Sequence, residues 1–131
     1  IHSIRHPLAY LRSVISNSGA AAPNDDEAAY GLGQWVAMIR HSRMRKQTGR
    51  YLEFRMEDFD AELPRILEFL DLRPDPACTD AAQFAYLPSR RRSSDVSRRV
   101  RDRVGGLRAL AEELGYSLSS DEEAVPVSCH A

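Results

Sequence analysis

Apolar residues open the chain as a short run, Ile1 to Ile4, and then change period, recurring after Arg5-His6-Pro7 at Leu8, Leu11, Val14 and Ile15. The change predicts a strand, a tight turn and a helix, with Pro7 at the first helical position, where a missing N–H costs nothing. Asn17-Ser18-Gly19 ends that helix, and the stretch 20–24, with Pro23, reads as a connection. Asp25 and Asp26 offer an N-cap and favourable first-turn charge for a long helix reaching about Gln47. Its expected inner face carries Ala28, Leu32, Trp35, Met38 and Ile39. Gly31 and Gly33 weaken it by about 1 kcal/mol each relative to alanine, which points to a kink or a close packing contact.

Arg50 to Arg55 alternates as a strand does, with Leu52 and Phe54 on one face, and Glu57-Asp58 closes it. Leu63, Ile66, Leu67 and Leu70 then form an apolar helical stripe whose Pro64 is expected in the first turn. A rigid link, 72–76, and one more short helix, 77–84, follow. After a loop over 89–92, Ser94 or Asp95 is expected to cap a last helix with the stripe Val96, Val100, Val104 and Leu107. Gly105-Gly106 interrupts it and Leu114-Gly115-Tyr116 ends it. From Ser117 the chain is polar and acidic, which divides it into a folded unit, 1–116, and a tail, 117–131. Two strands separated by a long helical excursion resemble part of a parallel α/β sheet. Two strands alone leave edges without hydrogen-bond partners, so preceding strands are expected outside this segment.

Composition narrows the picture. The 131 residues are 43% hydrophobic and 28% charged with a formal net charge of −1, which excludes disorder throughout. No apolar run approaches the roughly 20 residues that span a bilayer. Cys78 and Cys129 lack the spacing of a zinc site or disulfide framework and read as two reduced thiols. Seventeen of the eighteen basic residues are arginine, Lys46 being the exception. Arginine is suited to forked binding of phosphate or carboxylate.

The chemistry concentrates at Arg5-His6-Pro7 and Ser13. A strand-to-helix corner is where α/β proteins bind phosphates, because first-turn N–H groups and the helix dipole favour an anion and Arg5 adds a charged, forked hydrogen bond. Ser13, two turns into the helix, would reach an anion lying along the helix side. The bland alternative is an exposed arginine and a serine bonded to its own helix backbone. His6, directly after Arg5, is expected to turn its side chain elsewhere. Trp35 reads as core. Glu57-Asp58 reads as turn and helix-capping groups, one of them pairing with an arginine.

The order strand, Arg-x-Pro, Ser eight residues after the Arg, Trp-containing helix, strand ending in Glu-Asp-aromatic, leucine-striped helix and closing Leu-Gly-Tyr covers nearly the whole chain. It resembles the C-terminal half of sulfotransferases that use 3′-phosphoadenosine-5′-phosphosulfate (PAPS). Tyr51 to Phe59 is similar to that family's strand and Glu-Asp turn, Leu63 to Leu72 to its next helix, and Leu114-Gly115-Tyr116 to an ending frequent in bacterial and Golgi-type members. The resemblance implies a three-layer, P-loop-like parallel-sheet fold truncated at its N-terminus. It also implies a 3′-phosphate held by Arg5 and Ser13, PAPS as sulfuryl donor, a hydroxyl or amine acceptor, and no metal.

Three departures qualify it. Met56 stands where many members have a tyrosine that helps hold the nucleotide, although a thioether still packs on a purine. Cytosolic members close the site with an Arg-Lys-Gly loop; the comparable region here is Ser89-Arg90-Arg91-Arg92, which makes Arg90 and Arg91 the candidates for donor contact. The loop that cradles the 5′-phosphosulfate, with the usual catalytic lysine and base, lies N-terminal in the family and has no counterpart here. No residue of this chain is therefore singled out as catalytic, and the segment is expected to be inactive alone. The resemblance together with the arginine-rich composition leans toward a bacterial cytoplasm; in Golgi members an anchor would precede Ile1. The competing expectation is a polyanion- or nucleic-acid-binding module built on Arg90 to Arg92, Arg98, Arg99, Arg101, Arg103 and Arg108, or a noncatalytic remnant serving as an interaction module.

Overall fold

In the computed structural model, residues 1–19, 22–77 and 96–118 are described. The first apolar run forms β1 (His2–Ile4), and the expected helix follows at once as α1 (Pro7–Ser18). Helix α2 (Asp25–Met44) is capped one residue earlier than the acidic pair suggests. The Asn24 side chain accepts from Glu27 N–H at 2.9 Å and the Glu27 carboxylate accepts from Asn24 N–H at 3.0 Å, a reciprocal capping box. Asp25 and Asp26 thus act as first-turn charges. A 3₁₀ turn, Arg45–Gln47, completes the helix to its expected end.

Strand β2 (Glu53–Arg55) leads through a 3₁₀ turn, Met56–Asp58, into α3 (Phe59–Phe69). Because the turn runs straight into the helix, α3 starts early and Pro64 falls in its second turn instead of its first. Both Pro64 and Asp60, whose carbonyl loses its donor, are exposed, which leaves that carbonyl on the solvent side. Ser97 caps α4 (Arg98–Arg103) by accepting from Val100 N–H at 3.3 Å. Val104 to Gly106 then breaks the helix, and α5 (Leu107–Glu113) follows from a left-handed Gly106. The alternative caps Ser94 and Asp95, most of the helix expected over 77–84, both cysteines, and Arg90 and Arg91 lie outside the described residues.

β1 and β2 pair in parallel, His2 with Glu53 and Ile4 with Arg55, and among the described residues each pairs only with the other. The architecture is helix-rich mixed α/β. Residues in register share a face, so Ile4 looks toward the main core with Leu8 and Leu11 of α1. Ala28, Leu32, Trp35, Val36 and Ile39 of α2, and Val100, Leu107 and Leu110 of α4 and α5, complete that core. Leu52 and Phe54 face the other way, onto Ile66 of α3. Met38, expected inside, is 44% exposed, and Val36 takes its place. Gly31 is a close contact, since a Cβ there would sit 2.5 Å from Leu11 Cδ1. No helix among the described residues is long and apolar enough to cross a membrane.

Candidate functional site

Parallel strands deliver their C-terminal ends to one side of the molecule, where the chain leaves β1 as Arg5-His6 and β2 as Met56-Glu57. Crevices at such ends are where open α/β sheets bind ligands. Most of the backbone of the first corner is engaged. The Tyr116 hydroxyl donates to Glu57 Oε2 at 2.8 Å and lies 3.0 Å from the Ile4 carbonyl. Trp35 Nε1–H donates to the Arg5 carbonyl at 2.9 Å, His6 N–H donates to Glu57 Oε1 at 2.7 Å, and the His6 carbonyl accepts from Tyr10 N–H at 2.9 Å. Three side chains from three distant parts of the chain thus pin two consecutive peptide units.

The His6 ring is also spoken for. Leu8 N–H donates to Nδ1 at 3.2 Å, so the neutral ring carries its proton on Nε2 and gives it to the Ser117 carbonyl at 2.8 Å. The ring stands edge-on to Tyr116, centroids 5.2 Å apart. As expected, His6 points away from Arg5, and with both nitrogens engaged it has no lone pair for acid–base work. These bonds revise one expectation about the helix tip. Pro7 has no N–H, the Leu8 amide goes to the imidazole and the His6 amide to the Glu57 carboxylate. Of the first-turn amides only that of Ala9 is left without a partner among the described residues, so the tip of α1 is largely filled from within.

Arg5 differs from half of the fourteen described arginines. Arg43, Arg50, Arg55, Arg65, Arg98, Arg103 and Arg108 each face a carboxylate. The half-buried Arg5 guanidinium instead donates one N–H to Met56 Sδ at 3.4 Å. A thioether is a weak acceptor, so most of its donor capacity is open. Ser13 is half-buried, about 200° round α1 from the buried Leu11 and hence on the side away from the core. Its hydroxyl has no hydrogen-bond partner among the described residues, the bond to its own helix backbone being absent. The structure brings Arg5 and Met56 together across 51 residues; it shows no hydrogen bond between Arg5 and Ser13.

Glu57 and Asp58 leave the same 3₁₀ turn toward different partners. Asp58 pairs with Arg55 at 3.1 Å and makes no cap bond to α3. Arg55 in turn covers the Tyr116 ring at 4.6 Å and donates to the carbonyls of Leu114 and Gly115 at 3.3 and 3.1 Å. Tyr116 is 4% exposed. Burial, then the neighbouring Glu57 carboxylate, push its phenol pKa well above the ordinary range. The folded chain continues past 116: Ser117 holds His6 and Leu118 packs on the main core.

Sequence reasoning missed Glu57, Trp35 and Tyr116 as members of this corner; their sequence distances of 51, 30 and 112 residues leave no local signal. The arginine-rich C-terminal helices read differently once folded, because Arg98 and Arg108 both face Asp102, and Arg103 faces Asp26. No group of metal-binding side chains occurs among the described residues. Compared with known proteins, the chain matches no family model, no curated protein and no solved structure.

Proposed function

We propose that this chain is the 3′-phosphate-binding half of a PAPS-dependent sulfotransferase with a P-loop-like, three-layer fold. It anchors the nucleotide of a donor whose sulfuryl group passes to a hydroxyl or amine acceptor. The observation that carries the reading is Arg5: a half-buried guanidinium without a carboxylate, at the C-terminal ends of two parallel strands, touching Met56 of the turn that follows β2. The filled tip of α1 supports a phosphate held by side chains, with Arg5 supplying the forked, charged contact and Ser13 a hydroxyl along the helix side. The half-buried Met56 thioether lies beside Arg5, and a thioether packs on a purine face.

Sulfuryl transfer, like phosphoryl transfer, needs an in-line acceptor, a base and positive charge on the bridging oxygen. Arg5, Ser13 and Met56 bind and orient; none of them moves the acceptor's proton. The 131-residue chain supplied with PAPS and a phenol acceptor is therefore expected to give no sulfated product. Calorimetric titration with 3′,5′-adenosine diphosphate tests the binding claim. Loss of one charged hydrogen bond, about 1.5–3 kcal/mol, weakens Arg5→Ala by ten-fold or more. Equal affinity of the two proteins removes Arg5 from the site.

A further inference from the structure

The corner from which Arg5 emerges is clamped, and the clamp is built around one carboxylate. Glu57 immediately follows Met56, the residue that touches the Arg5 guanidinium, so a single 3₁₀ turn both contacts the arginine's tip and fixes the backbone at its root. Glu57 receives His6 N–H on one oxygen and the Tyr116 hydroxyl on the other, and the same phenol oxygen lies against the Ile4 carbonyl. Residues on both sides of Arg5 are thus tied to one acid–phenol pair, while Trp35 holds the carbonyl of Arg5 itself. An arginine has many rotamers, and the entropy of ordering it is lowered when its backbone and one terminal nitrogen are already placed.

We infer that Glu57 is a positioning residue for anion binding: seated on His6 N–H and backed by Tyr116, it fills the tip of α1 and directs a ligand phosphate to the Arg5 guanidinium. The inference rests on the nucleotide reading above and extends it to residues that never touch the ligand. It makes a distinction that a generic fold contact does not. Glutamine at 57 keeps a carbonyl for His6 N–H, and its NH₂ faces the phenol oxygen, whose proton then turns to the Ile4 carbonyl. Alanine leaves His6 N–H without an acceptor and opens the helix tip.

The readout is the 3′-phosphate increment, the ratio of the dissociation constants of 5′-AMP and 3′,5′-adenosine diphosphate, measured calorimetrically on the full chain. It is paired with hydrogen-exchange protection of the His6 amide. Wild type and Glu57→Gln are expected to show an increment of ten-fold or more and a protected amide. Glu57→Ala is expected to lose most of the increment, as Arg5→Ala does, and to expose the amide. Ile66→Ala, which loosens the separate cluster on the other sheet face, is expected to keep both. Should Glu57→Ala fail to fold, Tyr116→Phe, which keeps the ring and removes the donated proton, is expected to lower the increment at least three-fold. An unprotected His6 amide in the wild type overturns the clamp regardless of nucleotide. An increment kept in Glu57→Ala, or in Tyr116→Phe where that variant stands in, but lost in Arg5→Ala overturns the positioning role and leaves the site. An increment absent from the wild type, or kept in Arg5→Ala, overturns the site itself.

Discussion

Burial by itself raises a carboxyl pKa, and for Glu53 it is the largest single influence, yet the group is held below its ordinary 4.5. Arg43 supplies a forked pair of bonds, Nε at 3.0 Å and the terminal nitrogen at 2.7 Å, and the Tyr51 hydroxyl adds a third at 2.7 Å. Tyr51 then accepts from His2 Nδ1 at 3.1 Å, while the other arm of Arg43 reaches Glu113 at 2.8 Å. The chain of contacts ties both strands, α2 and α5 together. His2 is lowered from its ordinary 6.5, chiefly by burial. Both groups bind protons more weakly folded than unfolded, so each contributes stability above its unfolded pKa and loses it as pH falls. The urea midpoint is expected to decline below about pH 6.5 and more steeply below about pH 4.5; Glu53→Gln should abolish the second decline. Tyr51 and Tyr116 are shifted upward, burial being the first cause in each, so their contribution is intact below pH 10 and is lost at higher pH. Tyr116→Phe should blunt that alkaline loss.

Two glycines in α2 separate propensity from packing. A methyl at Gly33 meets nothing within 4 Å, so Gly33→Ala should raise stability by up to about 1 kcal/mol through helix propensity. At Gly31 the same methyl collides with Leu11, which is 1% exposed and cannot yield freely. Overpacking of about 1–3 kcal/mol outweighs the propensity gain there, and Gly31→Ala should lower the urea midpoint. The helices and strands themselves were legible in sequence because their signals are local: the period at Leu8, Leu11 and Ile15, the alternation at Leu52 and Phe54, the stripe at Val100 and Leu107. What escaped were choices between neighbours of similar character. Asn24 outcompetes Asp25 as cap because Glu27 closes a box with it. Met38 lies two turns beyond Gly31 on the same side of α2, yet it stays 44% exposed and meets only the Tyr10 hydroxyl of α1 at 3.9 Å, whereas Val36 is 3% exposed. Ser97 sits one turn before the first buried valine of α4.

At the scale of the molecule, seven of the fourteen described arginines are spent on its own acids, with Asp102 shared by Arg98 and Arg108 and Arg43 shared by Glu53 and Glu113. With a net charge of −1, duplex DNA binding at physiological salt should be no tighter than the weak end of nonspecific affinities, about 10⁻⁴ M, which a fluorescence anisotropy titration across salt concentrations will measure. The candidate site was legible only in its first component. Arg5 and Ser13 carry a readable motif, whereas the clamp joins residues 4, 6, 35, 57 and 116, and only the closed fold reveals which acid, indole and phenol converge.

The bond between Tyr116 and the Ile4 carbonyl spans 112 residues. A ribosome making 5–20 residues per second needs on the order of ten seconds to synthesise the intervening chain. Throughout that interval the first strand and its corner exist without their closing partner, so the corner stays open until Tyr116 has been made.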